Sequence, residues 1–338
     1  MKKKFLATGL ALLMAVGLTA CGGGEGGSEG GLKITNVSYD PTRELYAEYN
    51  EAFKKHYKEE KGKDVEIVQS HGGSGKQARS VVEGADADVV TLALEHDITL
   101  IEEAGMIKSG WLSEFDLDSS PYTSTIVFLV RKGNPKNLKD WDSLIEDGVD
   151  VITPDPKSSG GAMWNFLAAW QFAMDKFGND ETKAKEFMSK LYGNVSVMDS
   201  GARGATTTFV ENGQGDVLIA WENEAINTLN EYPNDYEIVT PSISILAQPS
   251  VAIVDENADK NGTQELCKDY LQYLYTDEAQ EIIAKNGYRP SNQDILKKYA
   301  DKFDLNVKLC NIQDFGGWNK AYDDFFADGK IFDEIYTK

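Results

Sequence analysis

Val149-Asp150-Val151-Ile152-Thr153-Pro154-Asp155-Pro156-Lys157-Ser158-Ser159-Gly160-Gly161-Ala162-Met163-Trp164 reads as a strand, a turn and the opening of a long helix. The β-branched run 149–153 favours extended backbone, two prolines end it, and apolar residues from Ala162 to about Phe177 sustain a helix. The same strand-then-helix unit recurs along the chain. Strands are expected at Ile34–Val37, Val65–Gln69, Val89–Leu94, Thr125–Val130, Val195–Val197, Val217–Ala220, Ile238–Thr240 and Val251–Val254. Helices are expected behind Asp40-Pro41, over Lys76–Glu83, over Asp97–Ala104, and from Asp199-Ser200-Gly201-Ala202-Arg203-Gly204 to Glu211. Asp40 reads as an N-cap with proline at the first helical position. This alternation is the signature of an α/β fold.

Four strand ends, after Val37, Gln69, Thr153 and Val197, pass through small or polar residues straight into helices. Each such junction offers unpaired backbone N–H groups and the positive end of a helix dipole. Several aimed at one point would hold a small anion without any lysine or arginine touching it.

The front of the chain is an address. Lys2, Lys3 and Lys4 precede an apolar run from Phe5 to Val16, then Leu18-Thr19-Ala20-Cys21. The run is too short to span a bilayer and fits a signal peptide over 1–20. Leu-Thr-Ala-Cys resembles a lipobox, in which Cys21 would carry the lipid. Residues 21–31 then form a glycine-rich tether.

The formal charge is −21; removing the three lysines of the signal gives −21 − 3 = −24. No polybasic stretch survives, so nucleic acid is not expected as a partner. Such acidity repels anions at long range, so an anion site here must rest on local dipoles. Cys267 and Cys310 are the thiols left after lipidation and are expected in the core.

Gly72-Gly73-Ser74-Gly75-Lys76 lacks the leading glycine and trailing hydroxyl of a P-loop, and Lys76 stands where a nucleophile elbow needs glycine. It reads as an anion-binding turn with Ser74 as hydroxyl donor, or as a structural turn. Ser158-Ser159-Gly160-Gly161 has the same chemistry, with an ordinary N-cap as the alternative. Trp221 follows a strand and offers one N–H donor and no acceptor; it suits either a deprotonated oxyanion or plain core packing. Arg203 either grips the ligand or stabilises its loop. His56, His71 and His96 lack zinc-site spacing, the acidic runs lack calcium-loop spacing, and no nucleophile–base pairing appears. No metal, cofactor or catalytic residue is expected.

Asn36-Val37-Ser38-Tyr39-Asp40-Pro41-Thr42-Arg43-Glu44, Ser70-His71-Gly72-Gly73-Ser74-Gly75-Lys76-Gln77, Tyr122-Thr123-Ser124-Thr125, Arg131-Lys132-Gly133-Asn134-Pro135, Lys157-Ser158-Ser159-Gly160-Gly161-Ala162, Asp199 to Gly204, Asp216 to Ala225 and Tyr288-Arg289-Pro290 together resemble the bacterial sulfate-binding proteins of ABC sulfate/thiosulfate importers. The resemblance covers about Leu32 to Lys338. It implies a type 2 periplasmic-binding-protein fold, with two α/β lobes joined by two crossing segments and a ligand cleft between them. The lobes are expected at 32–124 plus 246–338 and at 125–245. It also implies a binding set: backbone N–H groups of Asp40, Gly160, Gly161 and Ala202, main chain and hydroxyl of Ser74, the hydroxyl of Ser159 and the indole of Trp221. The implied ligand is sulfate, with thiosulfate as the alternative. The implied partners are an ABC permease and its ATPase, for a monomeric receptor lipid-anchored on the outer face of the cytoplasmic membrane. The lipobox and tether depart from the cleaved signal of freely periplasmic members.

Overall fold

A computed structural model describes residues 32–336, so the signal peptide, Cys21 and the tether lie outside the described residues. Two sheets organise it. The first has strand order Ser250–Ile253, Val89–Leu92, Leu32–Tyr39, Val65–Gly72, parallel except for the antiparallel Ser250–Ile253 edge. The second runs Val195–Asp199, Val151–Pro154, Val217–Trp221, Ile126–Arg131, Tyr236–Val239; its first three strands are parallel and the last two pairings antiparallel.

Each sheet is covered on both faces, which is why its central strands are continuously apolar rather than alternating. Val127, Leu129, Ile152, Leu218 and Ala220 pack with Ala205 and Phe209 on one side of the second sheet. Ile126, Phe128, Val151, Val217 and Ile219 face the main core with Trp164 and Phe166. Neighbouring residues of one strand thus enter different clusters, the period-two rule of a pleated strand. In the first sheet, Val37, Val90 and Leu92 meet Ala78, Val81, Ile98 and Ile101. Cys267 and Cys310 are buried free thiols, each pushed up to about 12 by burial, in keeping with the core reading.

The expected elements are present, with edges moved by one to three residues. Asp40–Thr42 is a 3-10 turn leading into helix Arg43–Lys61, and Tyr39 occupies its cap position without a side-chain bond. The expected capping role of Asp40 is therefore corrected: its Oδ1 accepts from Arg43 Nη2 at 3.0 Å. Helix Glu181–Gly193, capped by Asp180 accepting from Lys183 N, is an element beyond those expected from the sequence.

At the waist, Ser124 bridges Ala247 antiparallel, and Thr125 Oγ1 donates to Ser244 Oγ at 2.7 Å. The two crossing stretches run side by side there. Beyond that point the C-terminal segment meets both halves of the fold, and Tyr322 stacks on His96 of helix Glu95–Glu103 with ring centroids 4.0 Å apart. Strand Lys308–Cys310 pairs with Ile243–Ile245, and the segment after it packs on helices of the second sheet. Phe325 lies 5.0 Å from Trp170, Phe332 lies 5.3 Å from Tyr192, and Lys185 pairs with Glu334 at 3.0 Å. Periodicity shows that a segment has an apolar face but not which neighbour covers it.

Candidate anion site

The site is built at strand ends. Tyr39 and Gly72 are register partners at the close of neighbouring parallel strands, so Asp40 and Ser74 emerge side by side from the first sheet. Pro154 and Asp199 are partners in the second sheet, and their following turns deliver Ser159-Gly160-Gly161 and Gly201-Ala202. Ligands of open α/β sheets gather at this carboxyl edge.

Ser74, Gly160, Gly161 and Ala202 stand in the first turns of helices Ser74–Val82, Gly160–Lys176 and Ala202–Val210. Their N–H groups precede the first i−4 acceptor and point out of the helix ends. Asp40 opens its 3-10 turn in the same way.

Three glycines record how closely the two sets of loops meet. A Cβ on Gly73 would lie 2.7 Å from Ser158 O and 3.3 Å from Ser200 O. One on Gly160 would lie 2.8 Å from Leu94 Cγ and 3.1 Å from Ser74 Cβ. One on Gly201 would lie 2.6 Å from Asp40 Oδ2. Loops of the two sheets are therefore in contact, and all seven expected ligand residues fall in or beside this junction.

Trp221 ends its strand 1% exposed, its ring 5.5 Å from Tyr39 of the first sheet. Its Nε1 donates to Gly161 O at 3.1 Å, and a Cβ on Gly161 would come within 3.0 Å of that nitrogen. Only glycine lets the indole lie so close. Ser159 is the N-cap of helix Gly160–Lys176, its Oγ accepting from Ala162 N at 3.4 Å. That long bond leaves its proton free to point elsewhere.

Ser74 Oγ accepts from Ala93 N at 3.0 Å and donates to Asp97 Oδ2 at 2.5 Å. Burial pushes the Asp97 carboxyl up to about 6, while Ser74 and Arg79 draw it down. Sequence reasoning missed Asp97 and Ala93. Asp97 looked like one more acidic residue in a first helical turn, and nothing local says that it faces Ser74.

Arg203 does not point its guanidinium into the junction as a free cation. Its Nη2 lies 2.8 Å from both carboxylate oxygens of Glu44 and 3.5 Å from Glu224 Oε1. Burial pushes Glu224 up and Arg203 pulls it back. Of the two readings open for Arg203, the loop-stabilising one matches this geometry. Among the described residues, no group of three His, Cys, Asp or Glu is placed to hold a metal ion.

The junction thus gathers backbone, hydroxyl and indole donors with no free cation. Such a set suits a small, fully deprotonated oxyanion. A protonated one would bring an O–H that the donor set cannot accept.

The profile of the family "Bacterial extracellular solute-binding protein" matches residues 34–289. A sulfate-binding protein of Escherichia coli K12 is 58% identical over 306 residues, covering 90% of this chain and 93% of its own. A thiosulfate-binding protein of Pseudomonas aeruginosa is 45% identical over 339 residues, covering 100% of this chain and 99% of its own. Among solved structures, the sulfate-binding protein SubI of Mycobacterium tuberculosis H37Rv superposes with a TM-score of 0.78 at 34% identity, over 86% of this chain and 98% of that one.

Proposed function

The chain belongs to the bacterial extracellular solute-binding proteins, and from that premise we propose that it captures sulfate and delivers it to an ABC importer. The observation that carries this reading is the meeting of donor-rich strand ends from both sheets with no free cation among them. The proposed cage consists of the N–H groups of Asp40, Ser74, Gly160, Gly161 and Ala202, the hydroxyls of Ser74 and Ser159, and the indole of Trp221. On binding, Trp221 would exchange Gly161 O for a sulfate oxygen, and Ser74 would turn its proton from Asp97. The lobes are taken as 32–124 plus 246–338 and as 125–245, with the C-terminal segment also packed on helices of the second. The site supplies binding and no reacting group, so the role is a receptor's rather than an enzyme's. Thiosulfate is the second reading, favoured by the identity to thiosulfate-binding relatives.

The anchor belongs to the same proposal. Lipidation at Cys21 would hold a monomeric receptor beside the permease and its ATPase on the outer membrane face. Cys21→Ser should then move the protein from the membrane pellet to the soluble fraction without altering affinity.

Calorimetry against sulfate, thiosulfate, phosphate and molybdate tests the ligand. Trp221→Phe keeps most of the ring but removes one donor to a charged group, so sulfate affinity should fall about tenfold to a hundredfold. Arg203→Gln should cost less, by an amount that shrinks as salt is raised. Loss of binding in Arg203→Gln with normal binding in Trp221→Phe would refute the cage.

A further inference from the structure

Helix Gly160–Lys176 touches the first sheet twice, one turn apart. Gly160 sits against Leu94 and Ser74, as its near-contact distances show. Trp164 lies four residues further along, on the same helical face. Its side chain is fully buried, and its Nε1 donates to Ala93 O at 3.0 Å. Ala93 is the residue at which the first-sheet strand Val89–Leu92 gives way to helix Glu95–Glu103.

The same peptide segment continues to the ligand. Ala93 N donates to Ser74 Oγ at 3.0 Å, and Ser74 Oγ donates to Asp97 Oδ2. A single residue of the first sheet therefore takes a hydrogen bond from the second lobe on its carbonyl and holds the Ser74 hydroxyl with its amide. Trp164 is itself held in place: Trp318, 3% exposed, meets it edge-on, with ring centroids 4.5 Å apart at 85°. That leaves the indole few orientations besides the one aimed at Ala93.

We propose that Trp164 is a positioning residue for sulfate, a latch whose indole N–H closes the lobes by bonding Ala93 O and so fixes the Ser74 hydroxyl. The inference rests on the proposed anion cage. When the lobes part, the tryptophan moves with its own helix while Ala93 moves with the other sheet, so the bond exists only in the closed arrangement. Its contribution therefore appears in the escape of ligand rather than in its capture. Ala93 also explains the order of contacts: Ser74 is oriented at its lone pair by the backbone, which leaves its proton as the movable part.

The test uses Trp164→Phe, which keeps an aromatic ring against Trp318 and deletes the N–H. In stopped-flow measurements, sulfate should leave the variant about three- to tenfold faster than wild type, the span expected for one neutral hydrogen bond, with association unchanged within about twofold. The smaller ring should lower the melting temperature somewhat with or without ligand, while the extra stabilisation given by saturating sulfate shrinks. Equal dissociation rates overturn the latch, and so does an equal fall in melting temperature with and without sulfate, which marks a purely structural contact. A second measurement needs no variant. The chain has six tryptophans, and in ¹⁵N-indole spectra of wild type two N–H signals, from Trp164 and Trp221, should gain exchange protection when sulfate is added. Protection of Trp221 alone overturns the latch and leaves the cage standing. If wild type does not bind sulfate in either experiment, the cage falls and the latch with it.

Discussion

Asp97 shows how one side chain can hold a proposed ligand residue in place at a cost to stability. Buried at 2% exposure, it accepts the Ser74 hydroxyl, and burial pushes its carboxyl up to about 6. An unfolded aspartate titrates near 3.9. The folded protein therefore binds more protons than the unfolded chain between those values, and stability falls as pH rises through that window. The favourable difference is fully present below about pH 4 and gone above about pH 6. A shift of about two units corresponds to about 3 kcal/mol. Asp97→Asn keeps an acceptor for Ser74 and cannot ionise. Its ligand-free melting temperature should exceed wild type clearly at pH 8 and little or not at all at pH 4. A difference independent of pH would mean that Asp97 does not titrate as its surroundings dictate. Ser74, Ser159 and Trp221 were legible as donors from residue type alone. The partners that aim them, Asp97, Ala93 and Gly161 O, lie 23, 19 and 60 residues away in sequence, where no local pattern reaches.

Elements matter here chiefly through their ends. Gly73 has φ −58° and ψ 133°, a conformation open to alanine, so its replacement tests contact rather than backbone strain. Its Cβ would meet two backbone carbonyls, Ser158 O at 2.7 Å and Ser200 O at 3.3 Å, and neither can swing aside as a side chain does. Both carbonyls belong to loops of the second sheet. Gly73→Ala should therefore leave the ligand-free melting temperature near wild type and weaken sulfate binding by about tenfold or more, read by calorimetry. Gly201→Ala is the useful comparison, because its near contact is the rotatable carboxylate of Asp40. The smaller loss belongs to Gly201→Ala; a reversed order would mean that the loops do not approach as described. The strand–helix junctions were legible because proline, glycine and serine punctuate them. Their convergence depends on register: Tyr39 ends level with Gly72, and Pro154 level with Asp199.

At the scale of the molecule, Ser124 and Ala247 form a waist, across which the proposed ligand is expected to draw the two lobes together. Small-angle scattering should show a smaller radius of gyration in saturating sulfate than without it, and superimposable profiles would refute hinge closure. Lys157, two residues before Ser159, ties this motion to the end of the chain. Its Nζ donates to Phe326 O at 2.9 Å and pairs with Asp333 at 2.9 Å. The C-terminal segment thus steadies the loop that presents Ser159, Gly160 and Gly161.

From its residues alone, this chain specified an α/β fold, a donor-only chemistry at four strand–helix junctions, and an acidic surface that leaves anion capture to local dipoles. Those properties follow from residue type and short-range spacing. The resemblance carried by its motifs supplied the two-lobe architecture and the ligand expectation. Tertiary structure decided the rest. It set Asp40 against Gly201 and Arg43 instead of at a cap, paired Arg203 with Glu44 and Glu224, and packed Phe332 on Tyr192 and Tyr322 on His96. Each of these is a contact between segments far apart in sequence. Which surfaces meet depends on how whole sheets and helices pack, and no local pattern records that.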